Sequence, residues 1–138
     1  MERQKRPMIT TINPNWPDAP EEITKRKDWP KFFIGYWAFS SDPERDIYKE
    51  LNLAWPEDYI DLDWDVEERN RIADHLKKGG KVALYYCGYA DCRICGEKLG
   101  CSERYDGTYL WPDGFDHYLV EHGVKPPEQF IKHVLTKK

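Results

Sequence analysis

An α+β fold in a small single domain is what this sequence predicts, and three features carry the prediction. Phe32-Phe33-Ile34-Gly35-Tyr36-Trp37-Ala38-Phe39 is an apolar, aromatic run of strand length, closed by the turn-forming Ser40-Ser41-Asp42-Pro43. Asp65 with Glu68 three places on forms a capping box, Ile72, Ala73 and Leu76 supply an apolar stripe, and Gly79-Gly80 supplies a stop, so a helix should run over 66–78. Asp106-Gly107, set between two β-prone stretches, marks a two-residue hairpin turn. At 138 residues the chain can bury one core and is too short for two conventional domains.

Taken in order, residues 1–31 carry Pro7, Pro14, Pro17, Pro20 and Pro30 with little periodicity, which predicts an extended arm rather than a helix. Trp16 and Trp29 would leave much apolar surface in water if that arm were free, so it should lie on the body and bury them. Residues 32–138 then form the single domain. The aromatic run lines its core, a short helix follows over 43–51, and the 66–78 helix leads into a β-prone stretch over 81–86. Strands from Ser102 to Tyr105 and Thr108 to Trp111 flank the turn. A helix from near Asp113 to His122 should end at Gly123, and Pro127 suits the first turn of a last helix reaching Leu135. Tryptophan precedes proline at 16, 29, 55 and 111, each pair placing an indole just before a turn.

Composition narrows the function classes. Hydrophobic residues make up 40% and charged residues 33%, as in a folded soluble protein, while 14% aromatic with six tryptophans points to an aromatic core. There is no apolar run of membrane-spanning length and no secretory leader pattern, which predicts a cytoplasmic protein. A net charge of −4 argues against a general nucleic-acid binder. From Asp42 to Asp74, twelve acids stand against four basic residues, densest over 57–68. Such a run is ordinarily a solvated face; its functional reading is a docking surface for a basic partner protein.

All four cysteines fall between Cys87 and Cys101, and in a reducing compartment that clustering favours metal ligation over disulfides. Cys92-Arg93-Ile94-Cys95-Gly96, followed by His117 and His122, is the ligand arithmetic of a tetrahedral zinc site. Gly96 lets the backbone turn tightly so that amides can point at the sulfurs. A cysteine knuckle, a hairpin and a helix in that order are the parts of a treble-clef-like or ββα zinc module over about 87–123. His117 and His122 are about 140° apart on a straight helix, so sharing one ion should require the last turn to unwind. Cys87 or Cys101 could replace a histidine, or the two could pair as a disulfide. His75 and His133, on other helices, read as solvated.

Catalysis has weaker support. A zinc deaminase would need His-x-Glu ahead of the cysteine pair, and none precedes Cys92. The chain has no phosphate-binding glycine loop and no nucleophile elbow. A hairpin after the cysteine pair does not suit a thioredoxin-like dithiol. The enzymatic alternative is a metal-dependent hydrolase or nuclease of the ββα-metal type, in which His117 activates water beside an ion.

Trp55-Pro56, Trp64-Asp65, Glu68-Arg69, Gly88-Tyr89, the cysteine knuckle, Leu99-Gly100, Asp106-Gly107-Thr108-Tyr109, Trp111-Pro112-Asp113-Gly114, His117-Tyr118 and His122-Gly123-Val124 before Pro127 and Phe130 form a pattern. It resembles that of a group of small uncharacterised bacterial proteins, over more than half the chain. The resemblance implies a shared fold centred on the cysteine pair and the two histidines, and no particular activity. Where those proteins tend to carry serine after the Leu-Gly pair, this chain has Cys101. The expectation is a protein-binding module, acting through the acidic 57–68 surface or the aromatic N-terminal arm, with a structural Zn2+ held by Cys92, Cys95, His117 and His122.

Overall fold

The computed structural model describes residues 6–14, 16, 18–27, 29–38, 53–85, 91–100 and 102–136. Among them are five strands and four α-helices in one mixed α+β domain. The strands are β1 (Ile9–Thr10), β2 (Phe32–Ile34), β3 (Lys81–Tyr85), β4 (Ser102–Tyr105) and β5 (Tyr109–Pro112). They form one sheet in the order β1-β2-β5-β4-β3, antiparallel except for the parallel β2–β5 pair. The helices are α1 (Glu21–Thr24), α2 (Val66–Lys78), α3 (Phe115–His122) and α4 (Glu128–Leu135). A turn of 3-10 helix over Pro56–Tyr59 precedes α2.

Register decides which side chains meet the helices. Phe32 pairs with Tyr109 and Phe33 with Leu110, so alternate residues of β2 and β5 point to opposite faces of the sheet. On one face Tyr109 and Trp111 join Ile72 and Leu76 of α2, Phe115 and Leu119 of α3, and Phe130 and Ile131 of α4 in a single core. Trp111 is fully buried, and its indole N–H donates to the carbonyl of Leu76 at 3.0 Å, satisfying an acceptor near the end of α2. On the other face Phe33 is equally buried, with Trp29 edge-on to it at 6.3 Å.

α2 occupies the span its sequence predicts, with Asp65 accepting from the Glu68 amide at 2.9 Å. The capping box is completed differently, because the Glu68 carboxylate takes the indole N–H of Trp64. The N-terminal segment is not wholly extended. Pro20 fixes the entry to α1, a single turn supported by an exposed Glu21–Lys25 ion pair. Trp16 stays 44% exposed, touching Trp29 edge-on at 5.9 Å, in contrast to the burial its apolar surface predicts. The aromatic run is shorter as a strand than expected, since pairing stops after Ile34 and resumes as a bridge between Trp37 and Ala54. Phe39, Cys87, Cys101 and the helix expected over 43–51 lie outside the described residues.

The hairpin turn sits one residue later than the Asp-Gly pair predicts. Tyr105 pairs with Leu110, which places Gly107 and Thr108 at the tip and makes Asp106 the closing residue. The cause is the Asp106 side chain, whose Oδ1 accepts from the amides of Thr108 at 3.0 Å and Tyr109 at 2.8 Å. Both C-terminal helices form, α4 with Pro127 as its N-cap residue and α3 ending at a left-handed Gly123.

Candidate metal centre

Residues 91–98 fold into a small knuckle. Asp91 bridges Lys98, the Cys92 amide donates to the Glu97 carbonyl at 2.8 Å, and the Gly96 amide donates to the Cys92 carbonyl at 2.9 Å. Gly96 has φ 78°, the left-handed backbone that glycine adopts at little cost. The Ile94 amide lies 3.4 Å from Cys92 Sγ, and the Glu97 backbone hydrogen-bonds the Cys95 thiol. Cys92 is buried, and Ile94 and Leu99 pack on the core.

α3 faces this knuckle. The Arg93 amide donates to the Tyr118 phenol oxygen at 2.8 Å, and the Tyr118 ring packs at a tilt against Trp37 with centroids 5.2 Å apart, so the knuckle is moored through the core. Burial pushes the Tyr118 phenol well above its ordinary pKa. Either side of Tyr118 along the helix, His117 and His122 reach back toward the cysteines.

The Cys92, Cys95, His117 and His122 donor atoms all lie within 4.8 Å of one another, a Cys2His2 cluster that could hold a metal ion. His122 Nε2 is 3.5 Å from Cys92 Sγ, and His117 Nε2 is 3.4 Å from Cys95 Sγ. Contrary to expectation, α3 does not unwind for this. It stays helical through His122, and the reach of the two imidazoles spans their angular offset, bringing the ring centres to 5.1 Å.

Local charges at the cluster are mixed. His117 Nδ1 lies 3.4 Å from a Glu97 carboxylate oxygen, a contact that orients the ring. At Cys95 the Glu97 backbone lowers the thiol pKa, but desolvation and the neighbouring Cys92 outweigh it and leave the thiol above its ordinary value. Burial also raises the carboxyl of Asp116, beside an open cavity between α2 and α3 that His117 helps to line.

A second convergence escapes the sequence pattern. His75 and His133 are not solvated; their side chains are 13% and 19% exposed, and both place Nε2 on Asp106 Oδ2, at 2.9 and 2.8 Å. Their spacing held a signal. Each histidine lies three residues after a core position, Ile72 in one case and Phe130 in the other, and so falls on the inward side of its helix.

No protein-family profile matches the chain, and no curated protein or solved structure is significantly similar to it. Among the described residues, no helix is long and apolar enough to cross a membrane.

Proposed function

We propose that Cys92, Cys95, His117 and His122 bind a structural zinc ion in a treble-clef-like or ββα module, and that the domain is an intracellular protein-binding module. The sulfur–nitrogen separations carry this reading. Zinc at its usual distances from thiolate and imidazole sets neighbouring tetrahedral S and N ligands about 3.6 Å apart, close to the 3.4 and 3.5 Å between the paired donors here. Four protein donors fill a tetrahedral ion and leave no position for water. His117, whose two ring nitrogens face Cys95 and Glu97, is poorly placed to act as the base of the hydrolase alternative.

The binding surface we favour is the acidic stretch over 57–68, where charge alternates with apolar side chains. Leu62 is 85% exposed and Val66 and Ile60 are also exposed among Asp61, Asp63 and Glu67. The stretch is mounted beside the metal centre: Ile60 bridges Val124, and the Asp61 amide donates to the Gly123 carbonyl at 2.9 Å. Loss of the ion would disturb this surface, which gives a structural centre a functional consequence. A basic partner with a small apolar anchor fits that chemistry.

The test is affinity purification from the native host with zinc-loaded protein, alongside the triple variant Asp61→Lys, Leu62→Asp, Asp63→Lys. A discrete partner retained by the wild type, weakened by salt and lost from the folded variant is expected. Equal recovery by both proteins, or hydrolytic activity that disappears with His117→Ala while the fold survives, would overturn the reading.

A further inference from the structure

We propose that His75, Asp106 and His133 form a second metal site, taking a divalent first-row transition ion through two imidazoles and one carboxylate. The site shares no residue with the Cys/His centre and is assembled from three separate elements. His75 comes from α2, Asp106 closes the β4–β5 turn, and His133 comes from α4. Nothing in local sequence brings these residues together; the tertiary fold does.

The donor atoms already stand in ligand-like positions. His75 Nε2, His133 Nε2 and a carboxylate oxygen of Asp106 all lie within 4.8 Å of one another. Each nitrogen is 2.8 or 2.9 Å from Asp106 Oδ2. Neighbouring ligands at about 2.1 Å from a six-coordinate ion are about 3.0 Å apart, so both nitrogen–oxygen edges fit an ion with little movement. Direct N–H···O bonds fit those edges too, so the surroundings must decide.

Two features favour an ion. The other carboxylate oxygen, Oδ1, is occupied by the Thr108 and Tyr109 amides, which fixes Asp106 as a one-oxygen ligand aimed between the histidines. Both imidazoles are also set by packing: His75 lies against Trp111 at 5.4 Å, His133 against Tyr109 at 4.8 Å, and each against Phe130 at 6.2 Å. These ring contacts restrict how far either imidazole can turn away from Asp106. On the outer side His75 borders an open cavity of about 480 Å³, which also touches Arg71, Asp74 and Lys78. A donor set of two imidazoles and one carboxylate suits Fe2+, Co2+ or Zn2+.

The experiment titrates Co2+ into the full-length protein after the Cys/His centre has been filled with zinc, following binding by equilibrium dialysis and by the spectrum. One further equivalent without sulfur-to-metal charge transfer is expected. His75→Gln and His133→Gln keep an N–H donor for Asp106 but lose the imidazole, and each should weaken that equivalent at least tenfold while near-UV circular dichroism is unchanged. NMR of the unaltered protein gives an independent reading, because Co2+ at this site must shift or broaden the imidazole signals of His75 and His133. A wild type that takes no second equivalent would overturn the site, as would full binding by both glutamine variants or imidazole signals that Co2+ leaves untouched.

Discussion

Replacing Cys92 by serine removes one donor of the Cys/His centre while nearly preserving side-chain volume, so its effect should report the ion rather than packing. A metal that binds only the folded chain stabilises it by about 4 kcal/mol when free metal is a thousand times the dissociation constant. Serine is a poor ligand for zinc, and a variant whose affinity falls below ambient free metal forfeits that whole contribution. Cys92 is only 3% exposed, so a hydroxyl in its place adds about 1 kcal/mol of desolvation cost. The total is about 5 kcal/mol. At roughly 3 °C per kcal/mol for a domain of this size, the melting temperature should fall by about 15 °C. The assay is a thermal melt followed by circular dichroism, run with a slight excess of zinc and again with chelator. Chelation should reproduce most of the fall in the wild type and add little to the variant. A Cys92→Ser protein melting within about 3 °C of wild type in zinc, or a chelator shift of equal size in both, would refute the reasoning.

Three further outcomes follow from the fold. Trp111→Phe leaves the Leu76 carbonyl without its indole donor in a fully buried position, and should cost about 1–3 kcal/mol in urea unfolding; a loss below about 0.5 kcal/mol would contradict that role. Asp65→Ala removes the cap on α2 and should cost about 1 kcal/mol, with chemical denaturation as the check. Burial first, and the Asp58 charge second, raise the Tyr59 phenol above its ordinary value of 10.0. The neutral phenol therefore contributes stability in full below about pH 10, and that contribution is lost as pH rises toward the higher folded value. In Tyr59→Phe the alkaline fall in stability should be shallower than in wild type, measured as unfolding free energy across that window.

Sequence periodicity and punctuation made much of the C-terminal half legible. α2 was written in Asp65, the Ile72/Leu76 stripe and Gly79, and α3 in the stretch before Gly123, because caps and stops are local chemistry. The grouping of Cys92, Cys95, His117 and His122 was legible for a different reason: cysteine pairs and histidines at ligand spacing have few other uses in a short chain. What sequence could not show depends on tertiary partners. Glu68 completes its cap on Trp64 rather than on the backbone because an indole lies within reach. The hairpin tip moved because Asp106 spends one oxygen on two amides. Asp106 spends the other on two histidines from distant helices, a meeting that no linear pattern encodes. Trp16 is the reverse case, an apolar side chain whose surface favours burial but which the fold leaves 44% exposed.

The central claim is that two sulfurs and two nitrogens from one chain close around zinc. Zinc-edge X-ray absorption on stoichiometrically loaded protein, with Co2+ substituted for Zn2+ in a parallel sample, tests it most directly. The account predicts one tightly held ion per chain with two sulfur ligands at about 2.3 Å and two nitrogen ligands at about 2.0 Å. A tightly bound ion surrounded only by nitrogen and oxygen, a shell with three or four sulfurs, or a purified chain that takes up no tightly bound zinc would contradict it.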